Sequence, residues 1–243
     1  MRRYADPTAQ HTETPSRRGV KLLASPSERG RSVSSPDDQK VHASRYWPWV
    51  LLRALPAIAL AVVIIFSQDH STRLGFVTFG LFALLSGVVV AVGAARALEA
   101  DRVRWSFFAQ GAIGVLAGAT ALLSSGGGTG FLIFVVSAWA ALTGFLEIVG
   151  GLRSRGRLDS SRDWLFVGGL TVLFAVAVLL VPADFAQLFT GPDGVKRSLT
   201  ASIVLVGLAG AYDALLGVYL VIAGLSLKWA NRTVAATAAE SGN

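Results

Sequence analysis

The sequence predicts an all-α integral membrane protein of six transmembrane helices, arranged as three parallel-repeat hairpins with both termini in the cytoplasm. Three observations carry that reading. The chain is 53% hydrophobic and 15% charged, whereas an average soluble domain carries about 25% charged residues. Six apolar runs of spanning length follow one another after residue 46. A motif also recurs: Phe82-x-x-Leu85-x-Gly87, with Gly93 and Arg96, returns 57 positions later as Trp139-x-x-Leu142-x-Gly144, with Gly150 and Arg153. A third copy, Tyr212-x-x-Leu215-x-Gly217, lies another 73 positions on, with Gly224 and Lys228 completing it.

Residues 1–46 hold nine basic and five acidic side chains among Ser and Pro, with no apolar periodicity. Such a segment buries too little apolar surface to offset its ordering entropy and is expected to be a disordered basic cytoplasmic tail. No small-residue cleavage site follows the first apolar run, so a cleaved signal peptide is not expected. The tail reads first as a solvated leader that helps set topology. Its net positive charge would also draw it to anionic headgroups, and Thr14-Pro15, Ser25-Pro26 and Ser35-Pro36 would suit modification.

Helices are expected near 47–66, 75–95, 105–123, 131–152, 164–181 and 203–225, followed by a short C-terminal tail over 229–243. The fourth, Phe131 to Leu152, has one charge in its 22 residues. At about 1.5 Å per residue it reaches ~33 Å, enough for a hydrocarbon core of roughly 30 Å. Orientation comes from the loops. Beyond the tail, one side holds Arg96, Arg102, Arg104, Arg153, Arg155, Arg157, Arg162, Lys228 and Arg232, and the other only Arg73, Lys196 and Arg197. The richer side is assigned to the cytoplasm. Hairpins of one orientation differ from the inverted repeats of many secondary transporters. The outer segment from Pro182 to Ser202 reads as a connecting loop with a turn at Gly191-Pro192-Asp193-Gly194. Phe185, Leu188 and Phe189 fall at helical spacing and would also let it lie in the interface.

Glycines mark packing faces. Gly111, Gly114 and Gly118 form one smooth stripe, and Gly207, Gly210, Ala214 and Gly217 a second. They suit close packing within a bundle, and a homo-oligomer or other membrane proteins are the partners open to such stripes. Trp47, Trp49, Trp105 and Trp164 fall at helix ends and read as headgroup anchors rather than a ligand cage.

The stretch Trp139-Ala-Ala-Leu-Thr-Gly144-Phe-Leu-Glu147-Ile, the Arg-rich segment Arg153 to Arg157, the helix opening at Trp164 with Gly168-Gly169, and the closing Pro182 resemble the HdeD-like family. Those are short-repeat bacterial inner-membrane proteins linked by name to acid resistance. The resemblance spans roughly 47–230 in architecture and is sharpest over 135–182. It implies a multi-pass protein of the inner (plasma) membrane, with a role in acid or envelope stress and no catalytic residues. The chain departs from the pattern in its long tail, its extended 182–202 segment and Leu55-Pro56 in the first helix.

Three charges fall inside apolar runs: Arg53, Glu147 and Asp213. An acid or Arg at a helix centre costs roughly 2.5–3.5 kcal/mol on insertion scales, so each marks a function or a buried pair. Glu147 aligns with Val90 and Leu220 across the repeats, and Asp213 with Ala83 and Ala140, so the repeat requires neither acid. Arg53 and Glu147 share a depth near the cytoplasmic boundary, where Gln110 also reaches, and pairing would brace the bundle. Asp213 lies near the midplane with no basic residue at its level. A lone acid there favours its neutral form, which either donates a structural hydrogen bond or handles protons.

No enzyme is expected. The chain has no cysteine, and His11, His42 and His70 lie in the tail and a loop, which removes disulfides, thiol chemistry and a plausible zinc set. No phosphate loop or nucleophile elbow is present. The reading is therefore a cofactor-free, non-enzymatic membrane protein whose partner is the lipid bilayer and not nucleic acid. The alternative is a proton-linked small-solute transporter or channel using Asp213 and Glu147.

Overall fold

The computed structural model describes residues 46–98, 102–156, 158, 160–192 and 194–241, with side chains described to residue 232. The disorder expected of the tail lies outside these residues except at Tyr46, which is not part of a solvated tail but buried against Trp164. The elements are α1 (Trp47–Phe66), α2 (Thr72–Ala97), α3 (Arg102–Leu123), α4 (Thr129–Arg153), α5 (Ser161–Leu179), β1 (Ala186–Thr190), β2 (Lys196–Thr200) and α6 (Ala201–Ser241). All six helices are long and apolar enough to cross a membrane. The protein is a multi-pass, all-α membrane protein.

Local chemistry accounts for the helix ends. Pro48 opens α1, where a missing N–H costs nothing. Ser71 caps α2, its hydroxyl accepting from the Leu74 N–H at 3.2 Å, and Asp69 steadies that cap by accepting from the Ser71 N–H at 2.8 Å. Pro56 sits inside α1, where it withdraws one N–H from the helix ladder. The turn after α4 holds Gly156 at φ 78°, a left-handed conformation that glycine adopts without strain.

Helices pack most extensively as α2 with α3, α4 with α5, and α6 with α1. Hairpins read from the loops are thus units of chain order, and the tightest packing joins each to the next. The three even helices also touch one another. Their most apolar windows are 56%, 50% and 44% buried, against 39% in each of α1, α3 and α5. An inner trio of repeat-related helices therefore meets along a central axis, each member backed by an outer helix.

One glycine per repeat permits the close crossings. A Cβ on Gly87 would stand 2.8 Å from the Val115 nitrogen, one on Gly144 3.0 Å from the Val172 nitrogen, and one on Gly217 3.2 Å from the Ile58 nitrogen. Ile58, Val115 and Val172 are themselves spaced by 57, so the α6–α1 pair is the third copy of the α2–α3 and α4–α5 pairs, assembled from the two ends of the membrane domain. Gly111, Gly114 and Gly118 all face α2. In α6 the stripe differs from the sequence reading: Gly210, Gly217 and Gly224 face α1, whereas Gly207 has open space around it. These contacts fill the stripes from within the chain, so an oligomer built on them would have to displace helices already seated there.

Two further expectations are corrected. The 182–202 segment is neither a plain loop nor an interfacial helix but an antiparallel hairpin, with Leu188 paired to Ser198 and Phe189 to Arg197. Strand alternation sends Leu188 and Phe189 to opposite faces, so their helical spacing is incidental. Gly194 at φ 74° closes the turn. Trp164 is 4% exposed and packs on Phe107 at 4.6 Å and Tyr46 at 5.9 Å, so it is a core residue and not a headgroup anchor. Trp105 is exposed. Trp47 and Trp49 stay half-buried, under Lys228 at 4.9 Å and Arg96 at 6.0 Å respectively.

Candidate functional site

The axis is built in layers from repeat-equivalent positions. At its middle, Phe82, Trp139 and Tyr212 form a triangle with ring centroids 5.6, 6.2 and 6.4 Å apart and interplanar angles of 82–84°. Each pair is near-perpendicular, which sets the positive edge of one ring against the negative face of the other, an arrangement worth roughly 0.5–1.5 kcal/mol per pair beyond burial. Phe79 leans on Trp139 at 5.3 Å, and Phe174 stacks on Tyr212 at 4.4 Å. Thr171 gives its hydroxyl hydrogen to the Val167 carbonyl at 2.8 Å, which leaves the Tyr212 hydroxyl as donor to Thr171 at 2.9 Å. The triangle is an aromatic plug.

Two helical turns beyond the plug, toward the basic end, lie Val90, Glu147 and Leu220, all buried. The repeat places an apolar side chain there in two copies and a carboxylate in the third. Glu147 is 1% exposed and Arg53 11%. Arg53 Nη1 donates to Glu147 Oε1 at 2.6 Å, and Nη2 to Oε2 at 3.1 Å. Gln110 Nε2 donates to the same Oε2 at 3.0 Å. The fork matches both carboxylate oxygens, the geometry in which a desolvated ion pair recovers most of its burial cost. Residues from α1, α3 and α4 thus converge on one point. Arg53 Nε and Gln110 Oε1 remain buried without a hydrogen-bond partner.

From that pair a cleft runs toward the basic end. It is lined by Tyr46, Trp49, Arg53, Glu147, Asp163 and Trp164 together with apolar side chains of α2, α5 and α6, and its water-accessible volume is about 20 Å³. Near its mouth the Tyr219 hydroxyl donates to Asp163 Oδ1 at 2.8 Å, and Phe166 stacks on Tyr219 at 4.1 Å. Tyr46 stands just ahead of α1, and burial pushes its phenol up to about 12.

Asp213 is not part of this site. It is 4% exposed and lies in the α6–α1 seam, between Gly210, which faces Ile64, and Gly217, which faces Ile58. Its Oδ1 is buried with no hydrogen-bond partner. The structure therefore brings Arg53, Glu147 and Gln110 together and leaves Asp213 apart.

Sequence reasoning missed the cleft residues Tyr46, Asp163 and Trp164, and it missed the plug. The signal for the plug was present. Phe82, Trp139 and Tyr212 occupy one motif position, and three aromatics at one position of a repeat that closes on itself must meet at its axis.

A bundle of six apolar helices with repeat-equivalent layers defines a polytopic membrane protein built from short internal repeats. The chain belongs to the family described as short repeat of unknown function (DUF308), which matches it at residues 52–123 and again at 109–181. The two matches begin 57 positions apart, the spacing of the motif, and agree with the resemblance to HdeD-like short-repeat membrane proteins. Neither a curated protein nor a solved structure matches the chain significantly.

Proposed function

We propose that this is a non-enzymatic multi-pass protein of the cell (inner or plasma) membrane, with both termini in the cytoplasm, that contributes to acid or envelope stress resistance. On this reading it acts through the bilayer or through membrane partners rather than by moving a solute. The observation that carries it is the filled axis: the plug of Phe82, Trp139 and Tyr212 occupies the middle of the bundle, and Glu147 beyond it is held by Arg53 and Gln110. A conducting protein needs polar lining along its whole path, and here the polar layers at Glu147 and at Ser86 and Thr143 end at the aromatic plug. The stress role is supported by the HdeD-like resemblance alone. Its test is survival of a strain lacking the protein after acid and envelope challenge, with proton flux measured in proteoliposomes. The proposal expects lower survival without the protein and no flux above that of protein-free liposomes.

A second reading, proton-linked transport, is favoured by one observation, the buried Asp213 Oδ1 without a hydrogen-bond partner. Asp213→Asn keeps the shape but cannot titrate. Transport predicts a normally folded variant that has lost pH-dependent flux, and the structural reading predicts a variant equal to the parent.

A further inference from the structure

The cleft between the Arg53–Glu147 pair and the basic end has the makings of a solvent site, independently of the proposed stress role. Its water-accessible volume of about 20 Å³ exceeds the ~10–15 Å³ that one water requires. It also offers the two to four polar partners that a buried water needs. Arg53 Nε carries a buried hydrogen with no acceptor, because both Nη atoms are committed to Glu147. Glu147 and Tyr46 line the same space. An unpaired buried donor costs about 1–3 kcal/mol, so an acceptor at Arg53 Nε relieves a standing penalty. Glu147 already neutralises the guanidinium, and among the described residues the remaining lining charge is the Asp163 carboxylate, which repels an anion. The acceptor is therefore neutral.

Access is one-sided. Asp163 and Ser160, at the start of α5, and Leu227 of α6 stand at the outer end of the cleft. Toward the middle of the bundle Ser86, Thr143 and Leu216, each at most 5% exposed, fill the layer before the aromatic plug.

We infer that this axial cleft is a water site, with Arg53 Nε as donor, entered from the basic end of the bundle alone, so that water and water-sized cations reach Glu147 from that side and are stopped at the Phe82–Trp139–Tyr212 plug. The carboxylates of Glu147 and Asp163 and the rings of Tyr46, Trp49 and Trp164 suit a passing cation as well as water.

The chain has no native cysteine, which allows a direct test with Ag⁺, a thiol-binding cation of about the size of water. Val90→Cys and Leu220→Cys place a thiol in the cleft lining. Val136→Cys places one beyond the plug, where Val136 is equally buried. Arg155→Cys and Ser198→Cys, both exposed, mark the two membrane sides with an impermeant label. Ag⁺ is added to vesicles from one side, quenched, and the remaining thiol titrated after unfolding, with the cysteine-free parent as blank. We expect loss of the thiol at positions 90 and 220 when Ag⁺ is on the side that labels Arg155→Cys. We expect none from the side that labels Ser198→Cys, and none at 136 from either side. Retention at both lining positions, in variants that melt with the parent, overturns the site. Loss at 136, or loss at 90 or 220 from the Ser198 side, overturns its one-sidedness. If Val90→Cys fails to fold, Leu220→Cys decides alone.

Discussion

At the scale of single residues, the Arg53–Glu147–Gln110 cluster and Asp213 are opposite cases of charge in a membrane. In the cluster every carboxylate oxygen has a donor, so removing one partner exposes the other to the full cost of burial. Arg53→Leu and Glu147→Leu are each expected to destabilise by about 3–5 kcal/mol, and the double variant by clearly less than their sum. Thermal melts of the three variants in one detergent check this, and an additive double mutant would refute the coupling. Gln110→Leu removes one charge-assisted bond and is expected to cost about 1.5–3 kcal/mol. Asp213 has the reverse sign. Ala83 and Ala140 fill its equivalent positions with 0% exposure, and its Oδ1 lacks a partner. Asp213→Ala is therefore expected to raise stability by about 1–3 kcal/mol. A variant that melts higher yet loses acid tolerance would locate function in the carboxyl.

At the scale of elements, the helix pairs depend on glycines that allow backbone approach where lipid supplies no hydrophobic drive for association. Gly144 faces the Gly168 carbonyl at 2.9 Å from its would-be Cβ. Gly144→Val is expected to cost about 1–3 kcal/mol through forced separation of α4 and α5. Gly169, one residue from that crossing, has open space, and Gly169→Ala is expected to leave the melting temperature unchanged or raise it slightly. Parallel melts of the two variants distinguish a packing role from mere helix propensity. The β1–β2 hairpin behaves differently. Its strand β1 is exposed along its whole length, so it adds little to the bundle's core.

At the scale of the whole molecule, repeat pairing closes a ring: α2 on α3, α4 on α5, and α6 back on α1. The family matches cover the first two pairs, and the third is completed only in space. Lys228 lies 4.9 Å from the Trp47 ring, so the end of the membrane-spanning part of α6 and the start of α1 are neighbours. A circular permutant that links residue 232 to residue 46 and opens between Phe66 and Thr72 should retain the parent's melting temperature and its response to Glu147→Leu. A permutant that fails to fold would show that the α6–α1 pair depends on chain order. The proposed topology is checked separately: impermeant label should reach Ser125→Cys and Ser198→Cys from outside intact cells, and Arg155→Cys only after lysis.

What the sequence determined by itself was what depends on composition and period. Six spanning segments, their approximate bounds and the 57-residue repeat are local properties of hydrophobicity and glycine placement. Arg53, Glu147 and Gln110 were legible because charge and amide in an apolar run need partners, and helical rise alone fixes their depth. The tertiary structure decided which helices pair, because apolar faces of similar composition do not name their neighbours. It decided that Phe82, Trp139 and Tyr212 meet at one axis, which requires the ring to close. It set Trp164 in the core, since a ring at a helix end faces lipid or protein according to the helix's rotation. The hairpin at 186–200 also belonged to the structure, because its cross-strand hydrogen bonds join residues that no helical period relates. Asp213 was visible from the sequence as a lone acid, but only the α6–α1 seam showed that its oxygen is left without a donor.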